Sequence, residues 1–337
     1  MKAAVLHGAG DIRVEEVPEP TVEPGGVVIK VESCGICGSD LHGYRHGGRE
    51  GMRFGHEFSG DIVEIGEGVT DVEIGDRVVA MSGKGCGECY WCKQGDIVRC
   101  LKMSLLGYGF PGAFAEYVAV PSFHIGKYAD KMPDSISYDE GATVEPLSVS
   151  LHAVNQVDPQ PGDTVVVLGL GILGLCIIPI LKSLGITQIL VSGRRKKRLE
   201  LASELGAKVV VEASKNDITP IVKELNNGKG ADIVFDCAGG QNTFQQALSM
   251  VHRGGKIDIV GFYQEPFNWN PSFIAQNDIS LIGCGLRFDL PGALELLKNG
   301  AVDTKPMITH RYPLDKVKEA FDIQVKAEDA IKVIVHP

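Results

Sequence analysis

Apolar and polar positions alternate along Val27-Val-Ile-Lys-Val-Glu32, Gly60-Asp-Ile-Val-Glu-Ile-Gly-Glu-Gly-Val69, Asp76-Arg-Val-Val-Ala-Met81 and Ala115-Glu-Tyr-Val-Ala-Val120. Successive side chains of a strand point to opposite faces, so this period of two predicts short, half-buried strands. Turn residues separate the runs, and no helical periodicity intervenes, which predicts a barrel-like β domain over residues 1–153. From residue 154 the texture changes. Thr164-Val-Val-Val-Leu168, Gln188-Ile-Leu-Val-Ser192, Lys208-Val-Val-Val211, Asp232-Ile-Val-Phe-Asp236 and Lys256-Ile-Asp-Ile-Val260 are largely apolar. Each predicts a strand buried on both faces, with helices over 195–205 and 217–226 between them. Strands alternating with helices at this spacing specify a parallel, doubly wound sheet over 154–288. The tail, 289–337, predicts a helix at 292–299, another near 315–322 and the strand Ile331-Lys-Val-Ile-Val335, and is expected to return to the first domain. At 337 residues the chain is too long for one core, which agrees with two domains.

Composition narrows the partners. A formal net charge of −10 argues against a nucleic-acid backbone or an anionic membrane. The longest apolar run, Val165 to Leu184, is broken by Gly169, Gly171, Gly174, Pro179 and Lys182, so no bilayer span is expected. Nothing at the N-terminus resembles a signal peptide, and nine cysteines without one suit a reducing cytoplasm.

Four of those cysteines, Cys86, Cys89, Cys92 and Cys100, fall within the lobe 85–101. The spacing Cys-x2-Cys-x2-Cys-x7-Cys puts four thiolates within reach of one tetrahedral zinc. Two disulfides in a secreted loop are the competing reading, which the absence of a leader disfavours. Such a closed site is structural, so catalysis must lie elsewhere.

The run 164–168 leads directly into Gly169-Leu-Gly171-Ile172-Leu173-Gly174 and an apolar helix. After a strand and before a helix, this pattern predicts a dinucleotide site: one glycine turns, one admits the pyrophosphate, one lets helix and strand pack. Pro179, inside that helix, is expected to kink it. Gly261, past the fifth run, is a further candidate for the cofactor site. An NAD site wants a carboxylate after the second strand. Here Ser192-Gly193 precedes five cations, Arg194-Arg195-Lys196-Lys197-Arg198. Cations opening a helix are disfavoured by its dipole unless an anion sits among them. A ribose 2′-phosphate held by Ser192, Gly193, Arg194, Arg195 and Arg198 is the natural anion, so NADP is expected over NAD. A solvated basic face is the alternative.

A second group of metal-ligand residues lies earlier: Cys34, Cys37-Gly-Ser39-Asp-Leu-His42, Gly55-His56-Glu57 and Glu145-Pro-Leu-Ser-Val149. Cysteine, histidine and a carboxylate with one open position make a catalytic zinc site. Taken alone, His56 is more often a core or surface histidine than a ligand; beside a dinucleotide motif and a cysteine lobe it is a candidate ligand.

These motifs together, over essentially the whole chain, resemble the zinc-dependent medium-chain dehydrogenases, the class of alcohol, sorbitol and threonine dehydrogenases. The resemblance implies a Rossmann domain plus a GroES-like β-barrel catalytic domain, with the active site in the cleft between them. It implies two zincs per chain, the catalytic one on Cys37, His56 and a carboxylate: Glu57, Glu145, or both by exchange. Cys34 lies outside the matched pattern and is read as a neighbour. Ser39 resembles the family's relay hydroxyl and His42 the base that hands the proton to solvent, directly or by way of the ribose, as hydride passes to nicotinamide. A homo-dimer or homo-tetramer is expected. Glu145-Pro-Leu-Ser-Val149 resembles the polyol branch more than the threonine branch, so the expected substrate is a secondary alcohol, a polyol or the matching ketone. The basic segment Tyr44–Arg53 and the pair Arg287-Phe288, after a strand expected over 279–286, are candidates for a substrate wall. An NAD-dependent threonine or amino-alcohol dehydrogenase is the enzyme alternative. A silent nucleotide-binding protein of the same fold is the non-enzyme one, and intact Cys37, Ser39, His42, His56 and Glu57 speak against it.

Overall fold

The computed structural model describes residues 1–81, 83–285 and 287–337. The chain divides into two compact units, residues 1–148 with 288–337, and residues 149–287.

The first unit opens with a hairpin, β1 (Lys2–Gly8) and β2 (Asp11–Glu16), then β3 (Val27–Gly35), α1 (Gly38–His46), β4 (Glu57–Ile65) and β5 (Arg77–Ala80). The cysteine lobe follows, with β6 (Gly83–Lys84), α2 (Tyr90–Lys93) and β7 (Ser104–Leu105), before β8 (Tyr117–Val120), β9 (Ala129–Lys131), α3 (Tyr138–Gly141) and α4 (Val144–Val157). The unit boundary falls within α4. Helix α1 departs from the expected all-β texture. Cys37 caps it and Asp40, in its first turn, accepts from the Cys37 N–H at 3.0 Å, which offsets a stretch otherwise poor in apolar residues.

The second unit carries β10 (Thr164–Leu168), α5 (Ile172–Ser183), β11 (Gln188–Gly193), α6 (Lys196–Glu204), β12 (Val209–Glu212), α7 (Ile218–Leu225), β13 (Ala231–Asp236), α8 (Gln241–Met250), β14 (Val251–Ile259), α9 (Ser272–Asn277) and β15 (Ser280–Gly283). Among the described residues the strands form one six-stranded sheet, ordered β12-β11-β10-β13-β14-β15 and parallel throughout. Every residue of β10 is buried, as a β-branched run covered on both faces must be. Helix α5 continues through Pro179 to Ser183. Strand β15 ends at Gly283, short of the expected 286, and Leu286 lies outside the described residues.

The tail adds α10 (Leu290–Lys298), β16 (Ile308–Pro313), α11 (Val317–Lys326) and β17 (Lys332–His336) to the first unit. There the path β16-β17-β3-β4-β5-β9, with β8 also on β3, makes a seven-stranded sheet among the described residues. Phe321 of α11 explains the return. Its fully buried ring meets Tyr44, Phe54 and Phe114 at centroid distances of 5.1, 6.2 and 5.4 Å. Tyr44 is accordingly core: its hydroxyl donates to the Gly10 carbonyl and to Asp322 at 3.0 and 2.7 Å. That removes it from the expected substrate wall, whereas Arg45 and Arg49 are exposed.

Candidate functional site

In the first unit, β3 runs into the α1 N-cap and β4 begins at Glu57, so the ends of two paired strands and a helix start converge. One ligand atom each from Cys37, His56 and Glu57 lies within 4.8 Å of the others, close enough to hold one metal ion. Helix N-termini favour thiolate, which suits Cys37 as a ligand. Beneath it, Asp40 is fully buried, and its Oδ1 stands 3.5 Å from His56 Nδ1. Neither of these two buried atoms completes a hydrogen bond, so Asp40 is placed to orient the ring, as carboxylates orient metal-bound histidines. Burial works against a charged His56, but Asp40 and Cys37 together raise its pKa well above the ordinary value. The donor set of thiol, imidazole and carboxylate fits zinc.

Glu57 is fully buried and is met by Lys332 of β17, which also donates to the Ile36 carbonyl at 3.0 Å. Glu145 lies outside the 4.8 Å group. It feels both His56 and Glu57, and burial pushes it up to about 7. Cys34 is buried on β3, outside the group as well, and burial raises its thiol pKa.

Ser39 and His42 sit three residues apart on α1, hence on one face of the helix. Ser39 is exposed, and the His42 ring meets that of His46, 4.5 Å away and exposed in turn, so the row leads outward to water. Tyr108 escaped the sequence reading. Its ring lies 5.8 Å from that of His56, its phenol lies beside Ser39, and burial lifts its pKa. Only the glycines flanking it in Gly107-Tyr-Gly109 marked a special turn.

The four lobe thiols also lie within 4.8 Å of one another. Backbone N–H groups of Cys86, Cys89 and Cys92 donate to the sulfurs of Cys100, Cys86 and Cys89, each at 3.4 Å. Such donors favour thiolate, and those of Glu88 and Cys89 pull Cys86 down to about 6. A Cβ on Gly85 would stand 2.5 Å from Cys92 Sγ, so only glycine fits beside the cluster. The site suits a closed, four-sulfur zinc.

In the second unit, Gly169 turns with φ +95°, and a Cβ there would meet the Ala238 N at 2.7 Å. A Cβ on Gly174 would stand 2.1 Å from the Gly169 carbonyl oxygen, which enforces the close helix–strand approach. Gly171 caps α5 and has open space in front of it, so the first N–H groups of the helix, from Ile172 and Leu173, face a cradle fit for a pyrophosphate. Gly261 packs against the Gly239 N, where a Cβ would come within 2.5 Å. Ser192 and Gly193 are buried; Arg194 and Arg195 are exposed and, among the described residues, pair with no carboxylate. Arg198 reaches back to the Leu170 carbonyl at 3.4 Å, and burial with Arg195 beside it lowers its pKa.

Two family models match the chain: "Alcohol dehydrogenase GroES-like domain" over residues 23–133 and "Zinc-binding dehydrogenase" over residues 173–299. Sorbitol dehydrogenase of Bacillus subtilis is 36% identical over 100% of this chain and 97% of its own. The crystal structure of 2R,3R-butanediol dehydrogenase from the same organism superposes with a TM-score of 0.88 at 35% identity, covering 100% of this chain and 99% of that one. A zinc-binding dehydrogenase from Sinorhizobium meliloti, solved with NADP bound, gives 0.88 at 30% identity over 100% and 99%.

Proposed function

The chain belongs to the zinc-type medium-chain alcohol and polyol dehydrogenases and is an NAD(P)-dependent oxidoreductase; from that premise we propose that it interconverts a polyol, or another secondary alcohol, and its ketone, with NADP preferred. The observation that carries the reading is the convergence of Cys37, His56 and Glu57 at the start of α1, in a chain whose other unit opens a helix at Gly171 behind a glycine turn.

Cys37, His56 and a carboxylate would hold the catalytic zinc; the grouping of Glu57 with the first two supports it as that carboxylate, and Glu145 is the alternative. Bound there, zinc acts as a Lewis acid toward the alcohol or carbonyl oxygen. Asp40 keeps the His56 ring in its ligating orientation. Ser39 takes the hydroxyl proton, and His42, on the same face of α1, passes it to solvent. Tyr108 forms a wall beside Ser39. The Gly169–Gly174 turn and the N–H groups of α5 would hold the pyrophosphate of a dinucleotide, whose nicotinamide would supply the hydride chemistry. Arg194 and Arg195 carry the NADP preference, because they are exposed cations beside a helix start with no acid to meet them among the described residues. The Cys86–Cys100 lobe binds a second, structural zinc. The nine free cysteines suit a reducing cytoplasm, and β15, an open sheet edge with Leu281 exposed, suits a homo-oligomer. Among the described residues no helix is long and apolar enough to cross a membrane.

The direct test is a spectrophotometric screen of sugar alcohols, diols, inositols and threonine, each with NAD and NADP. Turnover of polyols or diols with NADP supports the proposal. Turnover confined to threonine with NAD contradicts it.

A further inference from the structure

We propose that Asp236 and Tyr263 are positioning residues of the dinucleotide site, a clamp that fixes the turn after β13 against the Gly169 turn. The proposal rests on the reading of residues 169–174 as the pyrophosphate cradle.

Asp236 ends β13, the strand next to β10, where the order of the parallel sheet reverses and its ligand crevice is expected. Its side chain is fully buried. Burying a carboxylate is unfavourable unless donors meet its oxygens. Here Ala238 N and Gly239 N donate to Oδ1 at 3.1 and 3.2 Å, and the Thr243 hydroxyl donates to Oδ2 at 2.9 Å. The Tyr263 phenol, from the segment after β14, donates to the same Oδ2. The Asp236 carbonyl accepts from Val260 N and Gly261 N at 3.0 and 2.7 Å. Among the described residues no ion pair neutralises this carboxylate, so neutral donors from three segments carry the whole load.

The turn so fixed is the one that abuts the cradle. Cys237 N donates to the Leu168 carbonyl at 2.8 Å, and the Ala238 N is the atom a Gly169 Cβ would strike. On its far side, a Cβ on Gly239 would come within 2.5 Å of the Phe262 carbonyl oxygen. The three turns after β10, β13 and β14 are therefore in contact, with Asp236 bonded to the middle and outer ones. Tyr263 is braced by the Phe267 and Phe244 rings, at 5.9 and 6.4 Å. Burial and the carboxylate raise its pKa, so the phenol stays a donor across the physiological range. A site is only as precise as the residues that hold its contacts in place.

The test titrates the zinc-loaded wild type and the Tyr263→Phe, Asp236→Asn and Phe244→Leu variants with NADPH and with NADH. Nicotinamide fluorescence reports affinity, beside zinc content and thermal midpoint. Losing one bond to a charged acceptor predicts that Tyr263→Phe weakens binding roughly ten- to a hundredfold at unchanged zinc content, and Asp236→Asn by at least as much. Phe244→Leu loosens the packing but leaves every donor to the carboxylate, so it lowers the midpoint and keeps affinity within about twofold. Tyr263→Phe binding within about twofold of wild type overturns the clamp, whatever Asp236→Asn does. So does an equal loss of affinity in Phe244→Leu, which marks a merely structural role. A wild type that binds neither dinucleotide overturns the cradle reading itself, a result distinct from both.

Discussion

Lys332, on the last strand of the chain, sets its ammonium against Glu57 Oε2, and the two side chains are only 2% and 1% exposed. The tail thereby reaches the carboxylate next to His56. Removing one partner of such a pair leaves an uncompensated buried charge, at about 3–5 kcal/mol. Lys332→Met is expected to lower the thermal midpoint sharply, and adding Glu57→Gln should restore part of the loss. Thermal melts of the two proteins decide it; equal midpoints for Lys332→Met and wild type contradict the pairing.

Loss of one lobe thiolate should cost stability without touching chemistry directly. Cys92→Ser is expected to drop metal content from two zincs to one and to lower the midpoint, since structural zinc contributes folding free energy outright. Metal analysis beside melting checks this. A variant of normal stability that retains full activity and the same single zinc as wild type contradicts it.

Cofactor choice should follow the exposed cations. Gly193 cannot accept a carboxylate cleanly, because a Cβ there would stand 2.8 Å from Leu170 Cδ1. The informative variant is therefore Arg194→Ala with Arg195→Ala. Each charge-assisted phosphate bond is worth about 1.5–3 kcal/mol, so the Michaelis constant for NADP should rise at least about tenfold while that for NAD stays nearly level. Equal effects on both cofactors contradict the 2′-phosphate assignment.

Asp258, fully buried on β14 with neither oxygen hydrogen-bonded, predicts an unusual pH dependence. Burial lifts its pKa from 3.8 to about 7. The unfolded chain then loses this proton first, so stability falls as pH rises from about 4 to about 7 and levels off above. The three-unit shift corresponds to roughly 4 kcal/mol. Asp258→Asn should lose that slope and be the more stable protein at pH 8, with the advantage shrinking toward pH 4. Unfolding followed across that range, with parallel profiles for the two proteins, would rule this out.

Much of this was legible before folding. The apolar runs of β10, β11 and β13 need cover on both faces, which leaves a parallel sheet as the simplest answer. The cysteine lobe was readable because ligand chemistry restricts residue type and spacing, whereas Cys37, His56 and a carboxylate, with Glu57 and Glu145 both open, came from the family resemblance. Helix α1 was not legible, since Gly38-Ser-Asp-Leu-His-Gly-Tyr-Arg-His46 shows no apolar stripe and is held by its cap, by buried Tyr44 and by Leu41 against the core. Nor was Asp40, whose place beside His56 arises only when β3 and β4 bring distant segments together. Tyr108 and the Asp236–Tyr263 contact are long-range in the same way. Gly261 belongs with them: its tight packing against the Gly239 turn arises only when β13 and β14 lie side by side.

Whether the active site stands on Cys37 and His56 is decided by zinc content measured beside turnover number in His56→Ala and His42→Ala. His56→Ala is expected to retain only the lobe zinc and to show no measurable turnover. His42→Ala should retain both zincs and slow by about 10²-fold, the lower end for a proton relay whose outer end is open to water, with partial rescue by added imidazole. A His56→Ala protein that keeps two zincs and its turnover would place the active site elsewhere.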